Sequence, residues 1–397
     1  MRKNRRTRRQ RGGAITQTAP RSSSGSPNGY EWAAAEHAGY GEYKNGALVK
    51  YNEDRYVVIP IGTDSLFALV LDGHGGSAVA QTVAQELPKL VTARALTADQ
   101  LADSAFLERT LRELFLQMNQ WLLDRVVEAK NCGAAGTAAI VTPNHIVIAN
   151  VGDSPGIVYD TTSRALTSTV DHDCENPDEI TRLNAIYMAM SYSNRGKYGV
   201  PCVDTYGDAG IRLRGQLAMT RSFGDLKYLP YITAEPTTYV IPRAANQRLI
   251  MSSDSFTEGI APSRTGRGNA IKNILTREQI VAEVDPEFTA TDESLVKKVE
   301  KIVTNRVNKF WFPGSGYAGD NTTFLAINLP NPPVNAPVNG AANGAANAAV
   351  NGAANAAVNL GSNYFGFNSP KATLGGRKRS KKSRRYRNRR ARATRKH

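Results

Sequence analysis

Five short apolar runs in this 397-residue chain begin or end on acidic residues. Asp72 follows the run 67–71 and opens Asp72-Gly73-His74-Gly75-Gly76. Asp254 follows 249–253, and Asp153 follows 146–151. Asp320 and Asn321 precede 322–327, and Glu53 and Asp54 precede 56–59. Each run has the length and apolar or β-branched content of a strand. One aspartate after a strand is ordinarily a turn or cap residue. Five strand ends bearing carboxylates can instead converge on one edge of a sheet assembly, where they repel one another unless cations lie between them. Hard divalent cations take oxygen ligands of this kind. The expected chemistry is that of a metal centre.

The elements that must position these residues alternate between β and helical signals. Residues 56–60, 66–71 and 248–252 read as strands, and 322–328 as a final one. Residues 137–142, 145–151 and 156–160 read as consecutive antiparallel strands, with Pro143-Asn144 as the first turn. Residues 77–91 and 292–309 read as helices. Leu107, Leu111, Leu114, Met118, Leu122 and Val126 recur at three- and four-residue spacing and predict one apolar stripe on a long helix. Strand clusters interrupted by a few long helices predict an α+β fold, with sheet packed on sheet and helices outside.

Charge divides the chain into parts. Of 50 Lys and Arg, seven lie in residues 1–11 and thirteen in 377–397, neither segment holding an acid. The remainder carries thirty bases against 35 acids, a net of −5. A mildly acidic body with basic tails is not a domain that grips nucleic acid with its own surface. Residues 1–29 are predicted to be a disordered basic tail and 30–329 the globular body. Residues 330–376 form an Asn/Ala/Gly linker with an asparagine at every fourth position from Asn335 to Asn359. Residues 377–397 are a second disordered basic tail. Three cysteines exclude a disulfide scaffold and a zinc cluster, and suggest a reducing compartment. No apolar run is long enough to span a membrane. The tails suit nuclear import or nucleic-acid phosphates, so an intracellular, nuclear or nucleic-acid-associated location is expected. A monomer is expected.

The motifs resemble the metal-dependent protein phosphatase family, type 2C, across the body. Asn52-Glu53-Asp54 is similar to its acidic motif, and Asp72-Gly73-His74-Gly75-Gly76 to its Gly-rich loop. Gly136-Thr137-Ala138, Gly152-Asp153-Ser154, Asp171-His172, the stretch from Arg212 through Ser222-Phe223-Gly224-Asp225, Ala234-Glu235-Pro236, Ser253-Asp254 and Gly319-Asp320-Asn321-Thr322 follow in family order. The resemblance implies a central β-sandwich of two antiparallel sheets flanked by helices. It implies a binuclear Mg²⁺ or Mn²⁺ centre at one end, with room for a third ion. Asp72 would bridge the two ions and the Gly73 carbonyl would bind one of them. Asp254 and Asp320 would bind the other. Glu53 and Asp54 would hold metal-bound waters, and Asp153 the weaker third ion. Two metals lower the pKa of a bridging water and aim it in line at phosphorus, so phosphoserine and phosphothreonine in a phosphoprotein would be hydrolysed without a covalent phosphoenzyme. His74 would be the general acid for the leaving hydroxyl.

Several positions depart from the family pattern. Val49 stands where the family has a phosphate-gripping arginine. Lys50 and Arg55 are nearby, and with Asn321 they are the candidate substrate-binding residues. Pro155, Ser255 and Glu258 replace an arginine, a glycine and an aspartate. The metal aspartates are intact, so an active enzyme is expected. The chief alternative is a pseudophosphatase that uses the fold to bind; another is a nucleic-acid-associated protein acting mainly through its tails. Gly152-Asp153-Ser154-Pro155-Gly156 also fits a serine-hydrolase elbow, but that motif needs a following helix. The loop after Cys132 lacks the arginine of a cysteine phosphatase, Ala138 standing in its place.

Overall fold

The computed structural model describes residues 19–38, 52–205, 210–257, 275–308 and 321–332, together with the backbone of 42–44, 47–49, 258–261, 271–274 and 309. In chain order the sandwich strands are β1 (Arg21–Gly25), β2 (Glu31–His37), β3 (Arg55–Ile61), β4 (Ser65–His74), β5 (Gly133–Val141), β6 (His145–Val151), β7 (Gly156–Asp160), β8 (Leu166–Ser168), β9 (Phe223–Gly224), β10 (Thr237–Pro242), β11 (Gln247–Ser252) and β12 (Thr322–Asn328). The main helices are α1 (Ala78–Ala93), α2 (Ser104–Arg125), α3 (Pro177–Ala189), α4 (Arg277–Thr289) and α5 (Leu295–Lys309).

One sheet runs β1-β2-β12-β11-β7-β8 and the other β10-β6-β5-β4-β3, with β9 on β5. Adjacent strands are antiparallel throughout. Side chains alternate across each strand. In β4, Leu66, Ala68 and Val70 face the other sheet, where they meet Val158, Leu249, Met251, Leu325 and Ile327. Phe67, Leu69 and Leu71 face outward and pack under α1 and α2. On the far side, α4 and α5 cover the first sheet through Ile280, Val284, Val299 and Val303. Both faces of the central strands are buried, so they read as unbroken apolar runs. Pro60, which has no amide proton to donate, lies on the edge strand β3, as its chemistry requires.

The helices start where side chains can satisfy free amides. Asp103 accepts from the Phe106 amide and opens α2, whose buried stripe runs from Leu107 to Leu122. Thr276 and Gln279 form a reciprocal capping box at α4.

Two expectations need correction. The run 156–160 is a strand, but it is not paired with 145–151. β7 crosses the sandwich and pairs with β11 in the opposite sheet. Its apolar residues are buried on both faces, so the pattern carries no sign of which neighbour it takes. The expectation of a disordered 1–29 also fails in part, because Arg21–Gly25 pairs along Trp32 to Glu36. Residues 1–18, the linker from 333 onward and the tail 377–397 lie outside the described residues.

Cys174 and Cys202 form a disulfide with Cα atoms 5.8 Å apart. A single bridge is not a scaffold, yet the low cysteine count does not anticipate even one. Among the described residues no helix is long and apolar enough to cross a membrane.

Candidate metal centre

Strand register brings the acidic ends together. Arg55 at the start of β3 pairs with Leu71 near the end of β4. His74 pairs with Gly133 at the start of β5, and Gly136 with Val151 at the end of β6. In the other sheet Met251 pairs with Gly156, and Ser252 with Phe324. The ends of β4, β6 and β11 and the starts of β3, β7 and β12 therefore share one end of the sandwich. Asp72, Gly73, His74, Glu53, Asp54, Asp153, Asp254 and Asn321 are all carried there.

Hydrogen bonds tie the two sheets at this end. The Asp254 amide donates to Asp72 Oδ2 at 3.0 Å. The Glu53 amide donates to Asn321 Oδ1 at 2.8 Å. The chain at Gly73 runs against the Glu53 turn so closely that a Cβ there would fall 2.4 Å from the Glu53 carbonyl oxygen. Only glycine fits. Asp54 is buried, and its amide donates to Asn52 Oδ1. Asp153 is buried in the connection between β6 and β7. Asp254 opens a short 3-10 turn whose carbonyl at Ser255 accepts from Arg306 Nε.

The donors gathered here are carboxylates and a backbone carbonyl, a set suited to hard divalent cations rather than to zinc or copper. The residues present fit such a group. Among the described residues no three His, Cys, Asp or Glu side chains already form a closed ligand cluster. Asp320, the remaining metal candidate, lies outside the described residues, as does Lys50, and of Val49 only the backbone is described. Arg55 turns inward. Its Nη1 donates to the carbonyls of Asn52 at 2.8 Å and Asp54 at 2.5 Å, bracing the acidic turn from within.

The position of His74 beside Asp72 marks it in the sequence; no spacing there links it to its partner. His74 Nε2 lies 2.6 Å from Oδ2 of Asp225, which is 1% exposed. Ser222 Oγ donates to the same oxygen at 2.8 Å. Asp225 sits in the left-handed region at φ 52°. The signal open to a sequence reader is an aspartate directly after Ser222-Phe223-Gly224, in the stretch that follows the family order.

Behind the centre, a buried ionic group holds α3 to the 220–222 segment. Glu179 accepts from Arg182, Arg221 and the Thr220 hydroxyl. Burial alone would push its carboxyl up; the two guanidinium groups outweigh burial and hold it well below the usual carboxylate range. His172 is buried beside them. Its Nδ1 accepts from the Gly152 amide and its Nε2 bonds Thr237 Oγ1 at 2.8 Å. Burial, then the charge of Arg221, lower its pKa to about 3.

The competing chemistries fail on geometry. Ser154 is fully buried and is followed by strand β7, not a helix. Cys132 leads into strand β5, and burial pushes its thiol up rather than down.

The family description of protein phosphatase 2C matches residues 62–265. The chain is similar to protein phosphatase 2C 3 of Arabidopsis thaliana, 28% identical over 200 residues, which cover 47% of this chain and 41% of that protein. It is similar to probable protein phosphatase 2C 24 of the same plant, 30% identical over 207 residues, 48% of this chain and 52% of that one. The chain spans about half the length of the curated relatives it matches. In fold it is similar to a C. elegans sex determining protein, with TM-score 0.56, 19% identity, and 79% and 66% of the two chains covered. It is also similar to serine-threonine phosphatase 2C from Toxoplasma gondii, with TM-score 0.53, 15% identity, and 78% and 99% covered. Motifs in order, antiparallel sandwich and family match agree, and the chain belongs to the protein phosphatase 2C family.

Proposed function

We propose that this protein hydrolyses phosphoserine and phosphothreonine in phosphoproteins, using Mg²⁺ or Mn²⁺ and no covalent phosphoenzyme. The observation that carries the proposal is the bond from the Asp254 amide to Asp72 Oδ2, which draws two strand-end aspartates of opposite sheets to one point. Asp72, the Gly73 carbonyl, Asp254 and Asp320 would hold two ions, with Glu53 and Asp54 on their waters and Asp153 on a third. When bound, such ions supply a nucleophilic water at neutral pH and offset the charge of the phosphoryl oxygens.

The chain's own residues do the rest. The Glu53–Asn321 bond and the Arg55 brace keep the acidic turn against the Asp72 strand end. His74 stands at the end of β4 to give a proton to the departing serine or threonine oxygen. Lys50 and Asn321 would contact substrate phosphate, while Arg55, the third candidate, is held in the brace of the acidic turn. With Val49 in place of an arginine, no bidentate guanidinium contact comes from that position. Phosphate release from a phosphothreonine peptide with Mn²⁺, and its loss with EDTA, tests the proposal. A folded protein that binds the peptide without turnover would support the pseudophosphatase instead.

The basic ends have a separate role in this reading. Their twenty positive charges would bind nucleic-acid phosphates with little sequence preference, and affinity would fall steeply as salt rises. They would also direct the protein to the nucleus. Because β1 belongs to the sheet, the independent catalytic unit is 19–332 rather than 30–329. That unit, as a monomer, should retain peptide turnover and lose nucleic-acid binding. Loss of turnover in a folded truncated protein would overturn the division.

A further inference from the structure

We propose that Arg306 is a positioning residue for the metal centre: from helix α5 it fixes the turn that carries Asp254, and so the place of that carboxylate; the inference rests on the phosphatase reading above. Arg306 is 1% exposed and lies in an apolar layer. Its helix neighbours Ile302, Val303 and Val307 pack there with Phe256 and Val284. Burial pulls the guanidinium pKa down to about 10, against the charge of Glu283. An apolar side chain of similar volume ordinarily holds such a layer together as well or better. Packing therefore does not explain an arginine here.

What the arginine adds is a donor to the turn. Its Nε donates to the Ser255 carbonyl at 3.0 Å. Its guanidinium carbon lies 5.6 Å from the centre of the Phe256 ring, and its Nη1 lies 3.6 Å from Glu283 Oε1 of α4. Both contacts to the turn fall on the two residues directly after Asp254. Those residues lie past β11, which ends at Ser252, and before the next paired strand, Glu258–Ala261, so no ladder fixes them. The other side of the turn is held without Arg306. The Ser253 amide donates to the Thr323 carbonyl at 3.1 Å, and Ser253 Oγ accepts from the Thr323 amide at 2.9 Å. Within the turn, the Thr257 amide and hydroxyl donate to the Asp254 carbonyl at 2.7 and 2.8 Å. Asp254 thus stands between one fixed point on β12 and another on α5, with its own amide on Asp72. A lysine offers one terminal ammonium, whereas the Nε of arginine donates from part-way along the side chain and leaves the fork for Glu283.

The rival role is a pin between α5 and the sandwich that serves stability alone. Mn²⁺ binding separates the two, because it reads the metal centre without turnover. Free Mn²⁺ is followed by electron paramagnetic resonance as the full chain is titrated. Arg306→Met keeps the length and apolar stem of the side chain but cannot donate. It should weaken Mn²⁺ binding by about tenfold or more, the range for residues that orient metal ligands. The Mn²⁺ concentration for half-maximal phosphate release should rise by the same factor, while KM for a phosphothreonine peptide stays near the wild-type value. In an Asp254→Ala background, Arg306→Met should weaken Mn²⁺ no further, as for two residues acting through one ligand. Glu283→Gln removes the charge partner and leaves the bond to Ser255, so Mn²⁺ affinity should stay near the wild-type value.

Unchanged Mn²⁺ affinity in Arg306→Met, whatever its stability in urea, would overturn the proposal, as would additive losses in the double variant. Should Arg306→Met fail to fold, Arg306→Lys retains the charge and the stem without the Nε donor. It should weaken Mn²⁺ by a smaller factor, and unchanged affinity there would overturn the proposal equally. A wild type that binds Mn²⁺ but releases no phosphate would end the phosphatase reading, and the titration would still decide on Arg306. A wild type that binds no Mn²⁺ would overturn both.

Discussion

The amide of Asp254 donates a 3.0 Å hydrogen bond to Oδ2 of Asp72, across the sandwich and 182 positions along the chain. Asp72 lies two residues before the end of β4 and Asp254 two residues beyond the end of β11, in different sheets, and the bond joins those ends. The Glu53–Asn321 bond does the same for two strand beginnings. Together they make one oxygen-rich end from four segments distant in sequence.

Gly73 is the closest approach in that assembly. A methyl group there would meet the Glu53 carbonyl oxygen at 2.4 Å and the Ala80 Cβ at 3.1 Å. Gly73→Ala should separate the acidic turn from the Asp72 strand end. Steady-state kinetics should show turnover reduced far more than stability, which should fall by about 1–3 kcal/mol in urea unfolding, as for other overpacked sites. Unchanged kinetics would mean that the turn's distance from Asp72 does not matter.

Glu179 accepts from two guanidinium groups and a hydroxyl while 1% exposed. Its removal leaves Arg182 and Arg221, both largely covered, without their counter-charge. Glu179→Ala should destabilise the protein by about 3–5 kcal/mol, the usual cost of breaking a buried pair from one side. A loss below about 1 kcal/mol in urea unfolding would place the pair with weak surface bridges.

Some of this is readable from the chain alone, and the reasons are specific. Asp72 and Asp254 stand out because each closes an apolar run, and strand ends are where a sheet can present a carboxylate. The helix at 104–125 is readable because only one of its faces is apolar. Arg21–Gly25 is not, since Arg-Ser-Ser-Ser-Gly has no strand character and is a strand only through its pairing with β2. Asp225 cannot be recognised as a partner because His74 lies 151 residues away and no period in the sequence links them. The crossing of β7 is hidden by a strand apolar on both faces.

His172 sets an acid limit on stability. Its folded pKa, about 3, lies below the ordinary value of 6.5. Above pH 6.5 it is neutral in both states and contributes no pH dependence. As the pH falls below 6.5 the unfolded chain takes up a proton that the folded one refuses. Stability should then drop by about 1.4 kcal/mol per pH unit from this group, down toward pH 3. His172→Gln should flatten urea-unfolding stability between pH 6 and 4. An unchanged slope would mean that His172 is already protonated in the folded protein.

The most direct test is phosphate release from a phosphothreonine peptide by the full chain with Mn²⁺, comparing the wild type with Asp72→Ala and Asp254→Ala. Circular dichroism must first show all three folded. Metal-dependent release by the wild type is expected, stopped by EDTA. Each variant should be slower by more than about a hundredfold, beyond what a change outside a ligand set costs. Near wild-type release by either variant would contradict a metal centre built on Asp72 and Asp254.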